Sequence, residues 1–341
     1  MPIRARKRAK PITVALNSDY QEQLPGALYR SISAKMSGTM TASGAGTNAV
    51  DGPFNFLGRV EIARGGDVLI GMHGIDLRHL SSFFQGGHAE ILPASIANAA
   101  IFLAQAELPL DKLIPGGALD ARSDDVVCRG RFRGATNLGT TATGITTGKL
   151  RFSGETDELP NGDHFEPRWT QTTIDTSAAN ADLSVSKRIN NDVELCTAIM
   201  LRTYDASTEL SDPNASRSDG MVREVRIDIE RNGQPAQEVA RFTWGELRQL
   251  STSRYGVNST SGQISTGVVL ITLDDPATPE LGDALKLQRG DTIVVRVDTA
   301  ATIEDEFTAL TPASGDLCYV TFLNFVPKGP GVEAAKRRSR G

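Results

Sequence analysis

The sequence predicts an all-β protein built as two tandem sandwiches. Two observations carry that expectation. One strand–turn–strand–helix signature occurs twice, about half a chain apart, and apolar residues alternate with polar ones along the candidate strands. The first copy reads Arg59-Val-Glu-Ile-Ala-Arg-Gly-Gly-Asp-Val-Leu69, then Ile75-Asp-Leu-Arg-His-Leu-Ser-Ser82. The second reads Val225-Arg-Ile-Asp-Ile-Glu-Arg-Asn-Gly-Gln-Pro235, then Gly245-Glu-Leu-Arg-Gln-Leu-Ser-Thr252. Gly66 and Gly233 lie 167 residues apart, and Leu77 and Leu247 lie 170 apart. Solenoid repeats run roughly 20–50 residues, so a 341-residue chain with this spacing is a duplicated domain.

The match continues in register. Gly116-Gly-Ala-Leu119 falls opposite Gly282-Asp-Ala-Leu285, and Leu150-Arg-Phe152 falls opposite Val320-Thr-Phe322. Taken in chain order, Ser31–Met40 reads as a strand. In the first copy, Gly65-Gly66 supplies the positive φ angles of a tight hairpin turn, a task that falls to Asn232-Gly233 in the second. Short helices are expected at Asp76–Phe84 and Glu246–Tyr255, each with an acidic residue where the helix dipole favours one. Residues 93–107 are alanine-rich and look helical by propensity. Phe102-Leu-Ala104 nevertheless falls opposite Leu270-Ile-Thr272, inside a β-branched run, so 99–107 is assigned as strand after a helical turn. Val193–Leu201, Gly267–Leu273, Thr292–Val297 and Tyr319–Phe325 complete the strand candidates. The polar stretches Gly44–Pro53, Gly134–Gly148, Ala206–Asp219 and Ser251–Gly262 read as loops.

Strands with little helix between them favour antiparallel packing, and halves of about 140 residues suit eight-stranded jelly rolls with short helices in their loops. The expected organisation is a basic N-terminal arm (1–24), a first jelly roll (25–157), a linker (158–184), a second jelly roll (185–327) and a basic C-terminal tail (328–341).

The chain is 39% hydrophobic, an ordinary globular composition, and no run reaches the ~18 apolar residues of a membrane-crossing helix. Pro11-Ile-Thr-Val-Ala-Leu16 is too short for a signal-peptide core. Cys128, Cys196 and Cys318 each sit in an apolar run, so buried thiols are expected rather than disulfides. Charge is unevenly placed. Arg4, Arg6, Lys7, Arg8 and Lys10 give the first ten residues +5, and Lys328, Lys336, Arg337, Arg338 and Arg340 against Glu333 give the last fourteen +4. With −5 overall, the body between them carries −14. Two basic ends on an acidic body point to contact with a polyanion, either nucleic acid or an anionic lipid surface.

The sequence carries no catalytic constellation. His-x-His, Gly-x-Ser-x-Gly, His-Glu-x-x-His, Cys-x-x-Cys and phosphate-loop patterns are all missing. His164-Phe-Glu166 is a weak metal pair. Asp124-Asp125 and Asp274-Asp275 read as turns, with calcium ligation as the other reading. Whether a structural metal is bound is left open, no cofactor is implied, and the chain is not expected to be an enzyme. Arg289-Gly-Asp291 reads as a turn rather than a recognition tripeptide.

Two tandem sandwiches, each with an Arg-Gly-Gly or Arg-Asn-Gly hairpin followed by Leu-Arg-x-Leu-Ser, resemble the double jelly-roll major capsid proteins of tailless icosahedral bacteriophages with an internal membrane. The resemblance covers roughly residues 25–327 and rests on no invariant motif. It implies a virion protein that forms a homotrimer, a pseudo-hexagonal capsomer tiling an icosahedral shell beside neighbouring capsomers and minor capsid proteins. It also implies that terminal segments face inward. Arg4, Arg6, Lys7, Arg8, Lys10, Lys336, Arg337, Arg338 and Arg340 are then the candidate contacts to membrane or genome. The loops Thr136–Gly148 and Ala206–Asp219 are expected on the outer side. A competing reading is a carbohydrate- or receptor-binding tandem sandwich, such as a phage spike or lectin. It needs an exposed aromatic platform, for which Trp169 is the candidate and Trp244 is expected in a core.

Overall fold

A computed structural model describes residues 5–49, 52–85, 89–91, 95–122, 125–157, 163–178, 182–205, 216–231, 234–255, 266–273, 284–299 and 316–329. The chain divides into two compact units, residues 1–170 with 325–341 and residues 171–324. The first unit holds β1 (Ala5–Arg8), β2 (Ile12–Thr13), β3 (Asp19–Gln23), β4 (Leu28–Tyr29), β5 (Ser31–Ala42), α1 (Gly52–Phe56), β6 (Arg59–Arg64), β7 (Asp67–His73), α2 (Gly74–Gln85), β8 (Ala89–Ile91), β9 (Ile101–Pro109), α3 (Leu110–Leu113), β10 (Leu119–Asp120), β11 (Val126–Arg131) and β12 (Ala142–Asp157). The first boundary falls inside β13 (His164–Asp175). The second unit follows with β14 (Asp182–Arg188), β15 (Val193–Asp205), β16 (Ser216–Arg217), β17 (Val222–Glu230), β18 (Gln237–Thr243), α4 (Trp244–Tyr255), β19 (Val268–Thr272), β20 (Leu285–Gln288) and β21 (Thr292–Thr299). The return to the first unit falls inside β22 (Leu317–Lys328).

The same strand order is built in each unit. In the first, β3, β11, β6 and β7 lie side by side, and a second sheet places β12, β5 and β9 in a row. In the second, β14, β21, β17 and β18 repeat the first row, and β22, β15 and β19 repeat the other. The alignment that made 99–107 a strand is borne out: β9 pairs with β5 from Ser31↔Pro109 to Thr39↔Ile101, and β19 pairs with β15 likewise. Alanine propensity lost because Phe102, Ala104, Ala106 and Leu108, two residues apart, all bury on one face.

The duplicated hairpins also share their irregularity. Register slips between Ile62 and Ala63 in β6–β7 and between Ile227 and Asp228 in β17–β18. Gly65 and Gly66 turn the first hairpin at φ 54° and 100°, where a side chain would strain the backbone. The Asn232-Gly233 turn lies outside the described residues. Each hairpin feeds a helix whose third residue reaches back to its start. The backbone N–H of His73 donates to Asp76 Oδ2 at 3.2 Å, and that of Thr243 donates to Glu246 Oε2 at 2.8 Å. In the second copy Thr243 Oγ1 also accepts from the Glu246 N–H, completing a capping box.

Each unit has its own core. In the first, Ile32, Ala34, Met36 and Met40 of β5 face inward with Phe102, Leu150 and Phe152. Beside them Phe132 packs between Tyr20, tilted at 4.6 Å, and Phe56, stacked at 5.5 Å. In the second, Val225, Ile227 and Ile229 of β17 meet Ile293, Val295 and Val297 of β21 and Cys318, Val320 and Phe322 of β22. Such apolar burial is the main force holding a sandwich closed.

Three segments depart from expectation. From Ala5 onward the N-terminal stretch belongs to the first unit: β1 pairs with β12 from Ala5↔Thr156 to Arg8↔Ser153, and β2 pairs with Leu150 and Lys149. The free edge of β12 needs backbone partners, and Ala9, Val14 and Tyr20 interleave with the charges and bury. Most of the expected linker is strand, β13 and β14, with Trp169 wholly buried. From Ala142 the expected loop at 134–148 is strand as well, because threonine is a strand former. Thr143 and Thr147 hydrogen-bond Thr41 and Thr39 across β12–β5 at 3.3 Å. Most of the loop Ala206–Asp219, and Asp124 with Asp274-Asp275, lie outside the described residues.

Candidate polyanion-contact arm and buried charge clusters

The described part of the basic arm is an edge strand with charges on both faces. Alternation puts Arg6 and Arg8 on one side of β1 and Lys7 on the other. Arg6 reaches Glu107 Oε2 at 3.5 Å, and Lys7 Nζ donates to the Gly26 carbonyl at 2.6 Å. Both contacts are exposed and hold the arm only weakly. Arg8 and Lys10 are exposed. Lys7 pairs with Gly154 of β12, where a Cβ would run into the Ser31 carbonyl and the Tyr29 ring of the neighbouring strands. Arg6, Lys7, Arg8 and Lys10 therefore lie together along one sheet edge. Arg4, Lys336, Arg337, Arg338 and Arg340 lie outside the described residues.

His164 and Glu166 sit two apart on β13 and both bury, yet their surroundings are those of an ion pair. Glu166, 1% exposed, takes Arg64 at 2.6 Å on Oε1 and Arg168 at 3.1 Å on Oε2. Close by, Arg122 bonds both oxygens of Asp120, at 2.9 and 2.7 Å, and holds that carboxyl below its ordinary range. Among the described residues no group of three histidines, cysteines or carboxylates is placed to hold a metal ion.

The second unit has a buried polar cluster of its own. Glu194 of β15 receives Asn191 Nδ2 on Oε1 at 2.6 Å, and Asn324 Nδ2 on Oε2 at 2.8 Å. Lys187 Nζ of β14 lies 3.5 Å from the same Oε2. Elsewhere, Arg202 is fully buried, with its guanidinium 5.0 and 4.6 Å from the ring centres of Tyr204 and Tyr319. On the far face of β17, Asp228 takes Arg296 at 2.7 Å and Arg226 at 3.3 Å.

Other sequence expectations resolve plainly. Cys128, Cys196 and Cys318 are free and buried; burial pushes the Cys196 and Cys318 thiols up to about 12. Arg289-Gly-Asp291 is a turn: Gly290 has φ 94°, and buried Asp291 accepts from the Gln288 N–H. Trp244 is buried and donates to Asp219 at 2.9 Å. Trp169 packs edge-on to Phe325 with ring centres 5.9 Å apart. With both tryptophans in cores, the aromatic platform that a glycan-binding surface needs does not come from either. The buried clusters around Glu166 and Glu194 were not foreseen. Their only sequence signal was a charged residue at a core-parity position of a strand.

No protein-family model and no curated protein matches the sequence. Solved structures do match its fold. The major capsid protein of Sulfolobus Turreted Icosahedral Virus superposes with a TM-score of 0.67 at 12% identity, over 94% of this chain and 97% of that one. The PBCV-1 virus capsid protein gives 0.60 at 11%, over 96% and 94%. The major capsid protein of bacteriophage PM2 gives 0.55 at 9%, over 96% and 98%. Each likeness runs nearly end to end in both chains, so the fold is a double jelly roll.

Proposed function

We propose that this chain is a viral major capsid protein whose homotrimers form pseudo-hexagonal capsomers of an icosahedral shell. The observation that carries the reading is one polypeptide building the same strand order twice, with end-to-end likeness to capsid proteins of three viruses. A trimer of such a chain offers six similar domains, which is how one gene product meets a near-sixfold environment. The role is structural and the location is the virion. Neighbouring capsomers and minor capsid proteins are the partners.

The basic ends suit the inner side of the shell. Arg8 and Lys10 are exposed on the β1 edge, and Arg4, Lys336, Arg337, Arg338 and Arg340 extend the same charge. Their counterpart is a polyanion, membrane or genome. Native mass by light scattering tests the capsomer: a trimer stable to dilution is expected, and a monomer at every concentration overturns it. Cryo-electron microscopy of assembled particles tests the arm, and density placing Arg8 and Lys10 on the outer surface refutes the inward assignment.

A further inference from the structure

We propose that Lys187 and Asn324 are joined by a self-formed isopeptide bond, promoted by Glu194, that staples the two sheets of the second unit. Lys187, Glu194 and Asn324 have no part in the capsid function proposed above.

Three strands converge on the cluster. Lys187 follows Leu183 and Val185 on β14, all at core-facing parity. Glu194 precedes Cys196 at the same parity on β15, and Asn324 follows Cys318, Val320 and Phe322 on β22. β15 and β22 are neighbours in one sheet, whereas β14 belongs to the other, which it enters through β21. The cluster thus lies inside the sandwich, not on its surface. The Lys187 and Glu194 side chains are 13% and 4% exposed, and Asn324 is fully buried.

The geometry is that of an amine, a carboxamide and a shared proton carrier. Glu194 Oε2 contacts Lys187 Nζ at 3.5 Å and Asn324 Nδ2 at 2.8 Å, so one oxygen touches both the nucleophile and the leaving nitrogen. Asn191 holds the other oxygen at 2.6 Å and fixes the carboxylate plane. Asn324 Oδ1 is buried and has no hydrogen-bond partner. Most buried side-chain polar atoms are hydrogen-bonded, so an unpaired amide oxygen beside a charged cluster calls for an explanation. The unpaired Asn324 carbonyl belongs to the same buried cluster as the Lys187 amine, and both side chains meet on Glu194 Oε2.

The step balances without a co-reactant. The Lys187 ammonium gives a proton to Glu194, and the free amine attacks Asn324 Cγ. Glu194 relays the proton shed by the attacking nitrogen to Nδ2. The Cγ–Nδ2 bond breaks, the Nζ–Cγ amide forms and one ammonia leaves. Holding both groups on one buried carboxylate replaces an intermolecular encounter with a positioned one.

The test is the intact mass of the full-length, folded chain under denaturing conditions, followed by peptide mapping. The expected result is a mass lower than the sequence mass by one ammonia, with a cross-linked peptide joining Lys187 to Asn324. Lys187→Arg and Glu194→Gln, checked as folded by circular dichroism, should retain the ammonia. If Glu194→Gln fails to fold, Lys187→Arg and the wild-type peptide map still decide. An unaltered wild-type mass overturns the proposal. So does an ammonia loss without a 187–324 cross-link, which would be succinimide formation at an asparagine.

Discussion

Replacing Glu166 by Gln should destabilise the first unit by about 3 kcal/mol. The carboxylate is 1% exposed and sits 2.6 Å from Arg64 and 3.1 Å from Arg168. At an effective dielectric of about 20, contacts at these distances are each worth on the order of 5–6 kcal/mol before desolvation is subtracted. The isosteric amide keeps the packing but removes the charge that compensates two guanidinium groups. Breaking a buried pair from one side typically costs about 3–5 kcal/mol. Arg64 and Arg168 are 23% and 20% exposed, so water takes up part of the loss and the low end applies. Urea unfolding followed by fluorescence measures it directly; in a thermal scan it corresponds to roughly 6–12 °C for a unit of this size. A matched control is Glu61→Gln, whose partners Arg59 and Arg129 are 51% and 38% exposed and which should cost no more than about 1 kcal/mol. Added salt should shrink the Glu61 effect and leave the Glu166 effect nearly intact. A loss below about 1 kcal/mol for Glu166→Gln, or one erased by salt, would refute the account of this cluster as a buried compensated charge.

Further outcomes follow from the same structure. Thr243→Ala removes one half of the α4 capping box and should cost about 1 kcal/mol in chemical denaturation, with Ser retaining most of it. Asp120 has a depressed folded pKa because Arg122 bonds it, so its stabilising contribution is complete above the unfolded carboxylate value near 3.9. That contribution should fade as pH falls below this value through the folded pKa, and Arg122→Met should flatten the acid limb of a stability–pH profile. The Cys196 and Cys318 thiols, pushed up to about 12 by burial, should resist a thiol reagent at pH 8 in the folded chain and react after denaturation. Rapid labelling of the native chain would contradict their burial.

The class of fold, the duplication and the places of the repeated hairpins and helices are legible in the amino-acid pattern. The reason is that these depend on local periodicity and on turn chemistry: Val225, Ile227 and Ile229 must share a face, and Gly65-Gly66 must turn. Comparing the two copies even overruled helix propensity at Phe102. What the unpaired strand edges and buried charges do emerges only when the sheets assemble. The arm at Arg6–Arg8 looks like a free basic tail until the open edge of β12 is present to pair with it. His164 and Glu166 look like a metal pair until Arg64, a hundred residues earlier, arrives at the carboxylate. Lys187, Glu194 and Asn324 carry no common signal, because they come from three strands and meet only when two sheets close. Local sequence fixes which face a side chain takes; which charge it meets there is settled by long-range pairing that no periodicity encodes.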